Sequence, residues 1–374
     1  RMRRVLGYIA IVLGALLVGM GLLAKPFMYD RLATVPLDQQ TTSVSMGENM
    51  NVLYPHVGED GGVIEKLEGV TVENTREVNG IPGIAQEYGG EDTQAFWQSS
   101  SGSRAQVDGE WVDLSYSDSG VSVDRRTGEA TNCCGDFRST GDLDDPEAVE
   151  DATHEGQVFK FPFNVEKRAY QWWDGDLQEA APAEFQDEEE IFGTTTYRFQ
   201  QVIPNSVIRT QQVPGSLFDP PAPGMVTANL HYQNTRTLWV EPNTGVVIKG
   251  EEQVEKTLRT AGREAVDFTV GTIGFDDETI QANADEWGGK GSLLGLIRGP
   301  LMWYLLIPGL LLLGLGAFLV LSARGSDADE EYGEPVYEDE AQTYEEQYPD
   351  RTDQFFDEAS TPDTRAARRE AGDL

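Results

Sequence analysis

VLGYIAIVLGALLVGMGLLA (Val5–Ala24) and LMWYLLIPGLLLLGLGAFLVLSA (Leu301–Ala323) decide the architecture, because neither stretch contains a charged side chain. A helix of about 20 residues rising 1.5 Å each matches the roughly 30 Å hydrocarbon core of a bilayer. Arg1, Arg3 and Arg4 precede the first run, and Lys25 and Pro26 close it. The run is longer than the roughly 7–15 apolar residues of a signal peptide, and Leu22-Leu23-Ala24 is a poor cleavage site, so it reads as an uncleaved anchor. In the second run Pro300 stands at the helix start, and Trp303 and Tyr304 suit an aromatic belt at the head groups. Pro308-Gly309 implies a kink of the kind membrane helices tolerate. Ala10/Gly14 and Ala15/Gly19 are spaced to let the two spans approach closely.

These runs divide the chain. The expected layout is a short cytoplasmic N-terminus (1–4), a transmembrane helix (5–24), an extracytoplasmic domain (25–300), a second transmembrane helix (301–323) and an acidic cytoplasmic tail (324–374). The arginines before the first span place both termini in the cytoplasm and the protein in the plasma membrane. The tail alternates acids with Tyr332, Tyr337, Tyr344 and Tyr348, ends in Arg365, Arg368 and Arg369, and cannot bury enough apolar surface to fold alone.

Between the runs, Thr71–Val78, Trp111–Tyr116, Val121–Asp124, Val158–Phe163, Thr194–Gln201, Thr237–Glu241, Val246–Lys249 and Asp267–Ile273 are rich in β-branched and aromatic residues. Gly, Pro, Asn and Asp separate them. The expected fold class is mainly β: an antiparallel, curved sheet or half-barrel, flanked by two transmembrane α-helices. Ser139–Glu155 reads as a short acidic helix or loop, Gln178–Glu190 as an acidic connector, and Pro214–Pro223 as neither regular structure. VSVDRRTGEAT (Val121–Thr131) and LWVEPNTGVVI (Leu238–Ile248) share the order strand, acid, turn, Thr-Gly, strand. That is either a duplicated hairpin module or the ordinary likeness of two hairpins.

The net charge is −36. Acidity on this scale repels nucleic acid, so no nucleic-acid partner is expected. The chain holds two cysteines, Cys133 and Cys134, adjacent in TNCCGD (Thr131–Asp136). Outside the cytoplasm a vicinal disulfide is the expected state, although neighbouring Cα atoms about 3.8 Å apart lie below the usual disulfide span. Two free thiols or cross-chain bridges are the alternatives. No Cys-x-x-Cys, zinc motif, nucleophile elbow or phosphate loop is present. His56, His154 and His231 fall outside any catalytic pattern, with His154 expected in solvent and His231 in a surface or structural role. Asp142, Asp144, Asp145 and Glu147 lack the EF-hand pattern. No catalytic residue, metal or cofactor is therefore expected, and the protein reads as a non-enzyme. Trp172-Trp173 and Trp239 are the candidate platforms for a ligand; in a strand Trp172 and Trp173 face opposite sides.

VDRRTGEATNCCG, FKFPFNVEKRAYQWWD (Phe159–Asp174), FGTTTYRFQQ (Phe192–Gln201), VPGSL (Val213–Leu217) and RTLWVEPNTGVV (Arg236–Val247) resemble an actinobacterial two-span membrane family with an ectodomain of unknown function, commonly labelled PorA-family porin. The resemblance covers roughly Val5 to Ala323. It implies a cell-envelope protein and brings no catalytic residues with it. An outer-membrane barrel needs lipid-facing strands of alternating polarity with aromatic girdles, and the middle of this chain is too charged and too punctuated for that. The expected function is a membrane-anchored envelope protein whose β-domain binds a lipid or other hydrophobic ligand. The alternatives are a scaffold or receptor acting through envelope or cytoplasmic protein partners and its tail, and, less favoured, a channel.

Overall fold

In the computed structural model, which describes residues 2–58, 61–139 and 148–322, the chain passes from its first helix into a strand of 19 residues. This strand, β1 (Gln40–Gly58), leads through β2 (Gly61–Gly80), β3 (Gln94–Val107) and β4 (Glu110–Asp124) to the short β5 (Phe137–Ser139) and β6 (Val149–Asp151). A crossing segment then reaches β7 (Tyr170–Asp174), from which β8 (Glu179–Ile191), β9 (Thr194–Pro214), β10 (Met225–Val240), β11 (Val247–Arg259) and β12 (Val266–Phe275) follow. All belong to one twelve-stranded sheet ordered β6-β5-β4-β3-β2-β1-β12-β11-β10-β9-β8-β7. Every neighbouring pair is antiparallel, as short turns between successive strands require. The chain thus starts in mid-sheet, winds out to one edge, crosses, and winds back from the other. Its first and last strands, β1 and β12, pair through Ser45↔Phe275 and Val52↔Thr269.

Strands of up to 21 residues cannot stay flat, because each carries a right-handed twist. The sheet curls until its two halves meet. Met50, Val72 and Ala105 from β1–β3 pack with Ile203, Tyr232 and Val254 from β9–β11. A second cluster joins Leu53 to Leu217, Leu230 and Leu258. Between the two sides Gln157 bridges Glu129, just after β4, and Trp172 of β7. The turn β3–β4 shows local chemistry at work: Asp108-Gly109 adopts φ of 50° and 88°, the positive values a two-residue hairpin needs.

The longer helices beside the sheet are α1 (Met2–Leu23), α2 (Pro82–Glu87), α3 (Asp277–Arg298) and α4 (Leu301–Ser322), with a single short turn at Asp30–Leu32. A wider π-helical turn, Ala24–Tyr29, prolongs α1. Helices α1 and α4 are long and apolar enough to cross a membrane, and their limits fall within a few residues of the runs that open the sequence. They lie antiparallel along a glycine seam. A methyl group at Gly14 would stand 2.7 Å from the Gly309 carbonyl oxygen, and one at Gly7 would stand 3.0 Å from that of Gly316. Of the two small-residue spacings, Ala10/Gly14 is buried here, whereas Ala15 is exposed and Gly19 has nothing within 4 Å. Seven-residue spacing, Gly7-Gly14-Gly21, is the period of the seam, because two antiparallel helices crossing at a shallow angle meet every two turns.

Several sequence expectations change. Gln178–Glu190 is not a connector but almost all of β8; its acids are exposed, the consecutive Asp187–Glu190 on both faces, while Ala183 and Phe185 pack into the core. Val158–Phe163 is not a strand, because its backbone bonds to turns and not to a ladder. Around Ser139–Glu155 the described flanks are β5 and β6, with 140–147 outside the described residues. That stretch holds Asp142, Asp144, Asp145 and Glu147, and the tail 324–374 also lies outside. Helix α3 was not anticipated, since Gly288, Gly289, Gly291 and Gly295 speak against a helix interior.

If the seam holds the spans together, Gly14→Leu should weaken association of the two span peptides in micelles by about 1–3 kcal/mol through overpacking. Gly19→Leu should leave it unchanged. Equal effects of the two would remove the seam.

Candidate functional site

Helix α3 begins at a built cap: the Asp276 carboxylate accepts the Thr279 amide at 2.8 Å, with Asp277 and Glu278 in the first turn favouring the helix dipole. Ile280 and Ala284 bury against Ile248 of β11. The Asn283 side-chain amide donates to the Ile248 carbonyl at 3.3 Å, and Thr194 donates to the Ala284 carbonyl at 3.2 Å. The helix therefore stands against one end of the curled sheet and runs into α4 with only Gly299-Pro300 between them.

On the opposite side, residues 33–39 strap the same end. The Val35 amide donates to the Arg125 carbonyl at 2.6 Å, and the Arg125 guanidinium returns a bond to the Val35 carbonyl at 2.8 Å. The Trp97 indole donates to the Pro36 carbonyl at 3.0 Å. The crossing segment closes the third side. Phe161, fully buried, stacks on Trp172 and Phe199 at 5.0 and 4.6 Å, and its amide donates to Gly245.

The two hairpin turns that echo each other in sequence are also alike in structure. Gly128 and Gly245 have φ of 74° and 76°. Each donates to the acid four residues earlier, Asp124 or Glu241, whose own amide donates to the residue after the glycine. Both carboxylates accept the following Thr amide, from Thr127 at 2.7 Å and Thr244 at 2.6 Å. The crossing segment touches both turns, through Gln157 at Glu129 and Phe161 at Gly245.

These three walls enclose a cavity of about 330 Å³, within the roughly 300–1,000 Å³ of small-molecule sites. Val78, Trp97, Phe159, Phe163, Val247 and Phe275 form its apolar body, and Trp287, Leu294 and Ile297 of α3 complete it. Leu32 and Leu293, 53% and 55% exposed, flank it. Polar side chains line it as well, among them Thr41, Ser43, Asn283, Arg76 and Lys160. Lys160 donates to the Phe161 carbonyl at 2.7 Å and sits over the Phe163 ring at 3.8 Å. Burial drives its pKa down to about 7 against the attraction of Glu241.

Deeper in the fold lies a polar network. Arg236 reaches Glu252 at 2.8 Å, Asp174 at 3.2 Å and the Gln201 side-chain Oε1 at 2.6 Å. Tyr232 donates to Asp174 at 2.8 Å. Burial and the Asp174 charge push the Tyr232 phenol far up. For Glu252, burial opposes ionisation, but Arg236 and Asn234 prevail and hold its carboxyl below the usual range.

The tryptophans singled out from sequence stand elsewhere. Trp172 is buried in the core with Phe161 and Phe199, Trp173 meets His154 edge-on at 5.0 Å, and Trp239 donates to Glu189 at 2.6 Å beneath Lys249. None lines the cavity; Trp97 and Trp287 do. Cys133 and Cys134 are bonded to one another, and the Cys133 amide donates to the Ser122 hydroxyl. That hydroxyl donates to Asp136 at 2.6 Å. His154 is not in solvent: it is 4% exposed, 3.4 Å from Asp136. His231 lies near the surface against Asn205. Among the described residues no His, Cys, Asp and Glu group is arranged to hold a metal. Arg76, Lys160 and α3 escaped the sequence reading. The Asp276 cap and the Arg298-Gly299 ending were signals for the helix; nothing in sequence marked the two cations.

The sequence profile of the family described as Porin PorA matches residues 6–318. A curated relative, Porin PorA of Corynebacterium resistens, is 23% identical over 247 residues, which are 48% of this chain. The match spans 59% of that relative's length.

Two measurements probe the site's chemistry. Arg236→Met leaves Asp174 without its cation and should cost about 3–5 kcal/mol in urea unfolding; a loss under 1 kcal/mol would mean the network contributes little. Lys160 is neutral in the folded chain above about pH 7 but charged when unfolded up to about 10.5. The unfolded state therefore holds more protons across that window, and stability rises with pH through it. Lys160→Met should stabilise most below pH 7, with its advantage shrinking towards pH 10.5. A difference that does not vary with pH would contradict the burial argument.

Proposed function

The chain belongs to the PorA porin family, and from that premise we propose that it is a membrane-anchored, non-enzymatic envelope protein. In this reading its β-domain takes up the apolar part of a lipid or other hydrophobic envelope ligand. The observation that carries it is the position of the cavity. Ile297 and Leu293 precede the second span by four and eight residues on helix, about 6 and 12 Å at 1.5 Å per residue. With α1 and α4 in the bilayer, the mouth between Leu32 and Leu293 stands at the head-group layer, where an acyl chain enters without crossing water. The arginines at positions 3 and 4 support cytoplasmic termini and an extracytoplasmic domain.

Mass spectrometry of lipids carried through purification in detergent tests the reading. Wild type should retain near-stoichiometric lipid, and Val78→Trp, which fills the cavity from β2, should lose most of it while the β-domain stays folded by circular dichroism. Equal lipid on both proteins would sink the cavity as the site. The Corynebacterium resistens relative is named a porin, so conductance in planar bilayers is the companion measurement. Currents that survive Val78→Trp would favour a channel over a carrier.

A further inference from the structure

The lining of the cavity is at odds with the charge of the chain. The protein carries 64 acidic and 28 basic residues, yet among the described residues the ionisable side chains that line the cavity are Arg76, Lys160 and Lys290, all of them basic. Lys290 is engaged with Glu286 at 2.7 Å at the outer end. Arg76 is different. Strand alternation turns Arg76 and Val78 of β2 inward, to the cavity. Its Nε donates to the Ser99 hydroxyl at 2.8 Å, and its guanidinium carbon stands 5.5 Å from the centre of the Phe159 ring. Among the described residues no carboxylate lies within ion-pair distance of it, and neither Nη has a protein acceptor. Glu252, the acid that attracts it from β11, is already held by Arg236 and Asn234. Arg236 itself repels it.

A guanidinium cannot escape this by losing its proton. Arg76 is half-buried, with its Nη groups open to the cavity, and a fork of two free N–H groups matches the oxygens of a carboxylate or phosphate. Ser43 stands opposite it on β1, and Trp97, Phe159, Phe275, Leu293 and Ile297 also line the cavity. We propose that the cavity selects an anionic amphiphile, its carboxylate or phosphate held by the Arg76 fork and its alkyl chain running between Trp97, Phe159 and Phe275 towards the membrane. This rests on the lipid-binding reading above and adds the headgroup chemistry to it. Lys160 is the second donor, 3.8 Å above the Phe163 ring on the crossing segment.

The test is competitive binding to the full chain, delipidated in detergent, with dodecanoate, dodecyl phosphate, dodecanol and inorganic phosphate as probes. Wild type should hold the two anionic amphiphiles at least tenfold more tightly than dodecanol, and inorganic phosphate should not displace them at matched concentration. Arg76→Gln should bring the anion-to-alcohol ratio close to one with dodecanol affinity unchanged, and Arg76→Lys should keep part of the preference. A wild-type ratio near one overturns anion selection while leaving the lipid reading intact. Displacement by inorganic phosphate at equal concentration overturns the amphiphile in favour of a free-anion site. Failure of every dodecyl probe to bind sinks the lipid reading itself. Should Arg76→Gln not fold, the wild-type ratio alone decides.

Discussion

The pairing of β1 with β12 is the constraint from which the rest of the molecule follows. A meander that ran from one edge of the sheet to the other would leave its ends far apart, since neighbouring strands lie about 4.8 Å from each other. Here the first and last long strands are neighbours through Ser45↔Phe275, so the helices before and after the sheet must emerge side by side. That proximity is what lets Gly7, Gly14 and Gly21 face Gly316, Gly309 and Met302. Without a hydrophobic driving force in lipid, helix association depends on such close packing, and the sheet supplies it by holding both helix ends at one place.

The same pairing makes the cavity. Two segments leave the sheet at one end, residues 33–39 towards α1 and α3 towards α4, and neither can cover the end completely because each must continue to its own span. The gap between them is filled only in part by the crossing segment, pinned by Phe161 and by the two like turns. Val78, Trp97, Phe159 and Phe275 face that gap beside Arg76, Thr41 and Ser43, so the end of the sheet presents an apolar surface with a cation set into it.

What the sequence disclosed, and what it withheld, divides along a physical line. Uncharged length alone identified Val5–Ala24 and Leu301–Ala323, because burying charge in hydrocarbon is expensive whatever the tertiary context. Strand-like composition and spacing found stretches of β2, β4, β9, β10, β11 and β12. They failed at β8, where six of the residues from Gln178 to Glu190 are acids: a solvated strand face accepts any polar residue, so composition there says nothing about the backbone. They failed again at α3, whose glycines do not favour helix yet allow it to press against Glu241 and Asn243. Adjacent tryptophans drew attention as a platform, but Trp172 packs in the core and Trp173 against His154. The cavity is assembled from six separate stretches between Leu32 and Ile297, and no local pattern in any one of them announces it.

The outer face of the sheet bears on how the molecule meets a membrane. Arg104 pairs with Glu73 at 2.7 Å and Arg138 with Glu150 at 2.6 Å, while Arg198 pairs with Asp187 at 2.5 Å. Each of these arginines is partly exposed, as are Glu150 and Asp187, while Glu73 is more covered. In water such pairs contribute little to stability; facing acyl chains, Arg or Lys at mid-bilayer would cost about 2–4 kcal/mol each. Helices α1 and α4 present the opposite surface: their exposed side chains are almost all apolar, as side chains facing hydrocarbon must be, so among the described elements these two are the best suited to meet it.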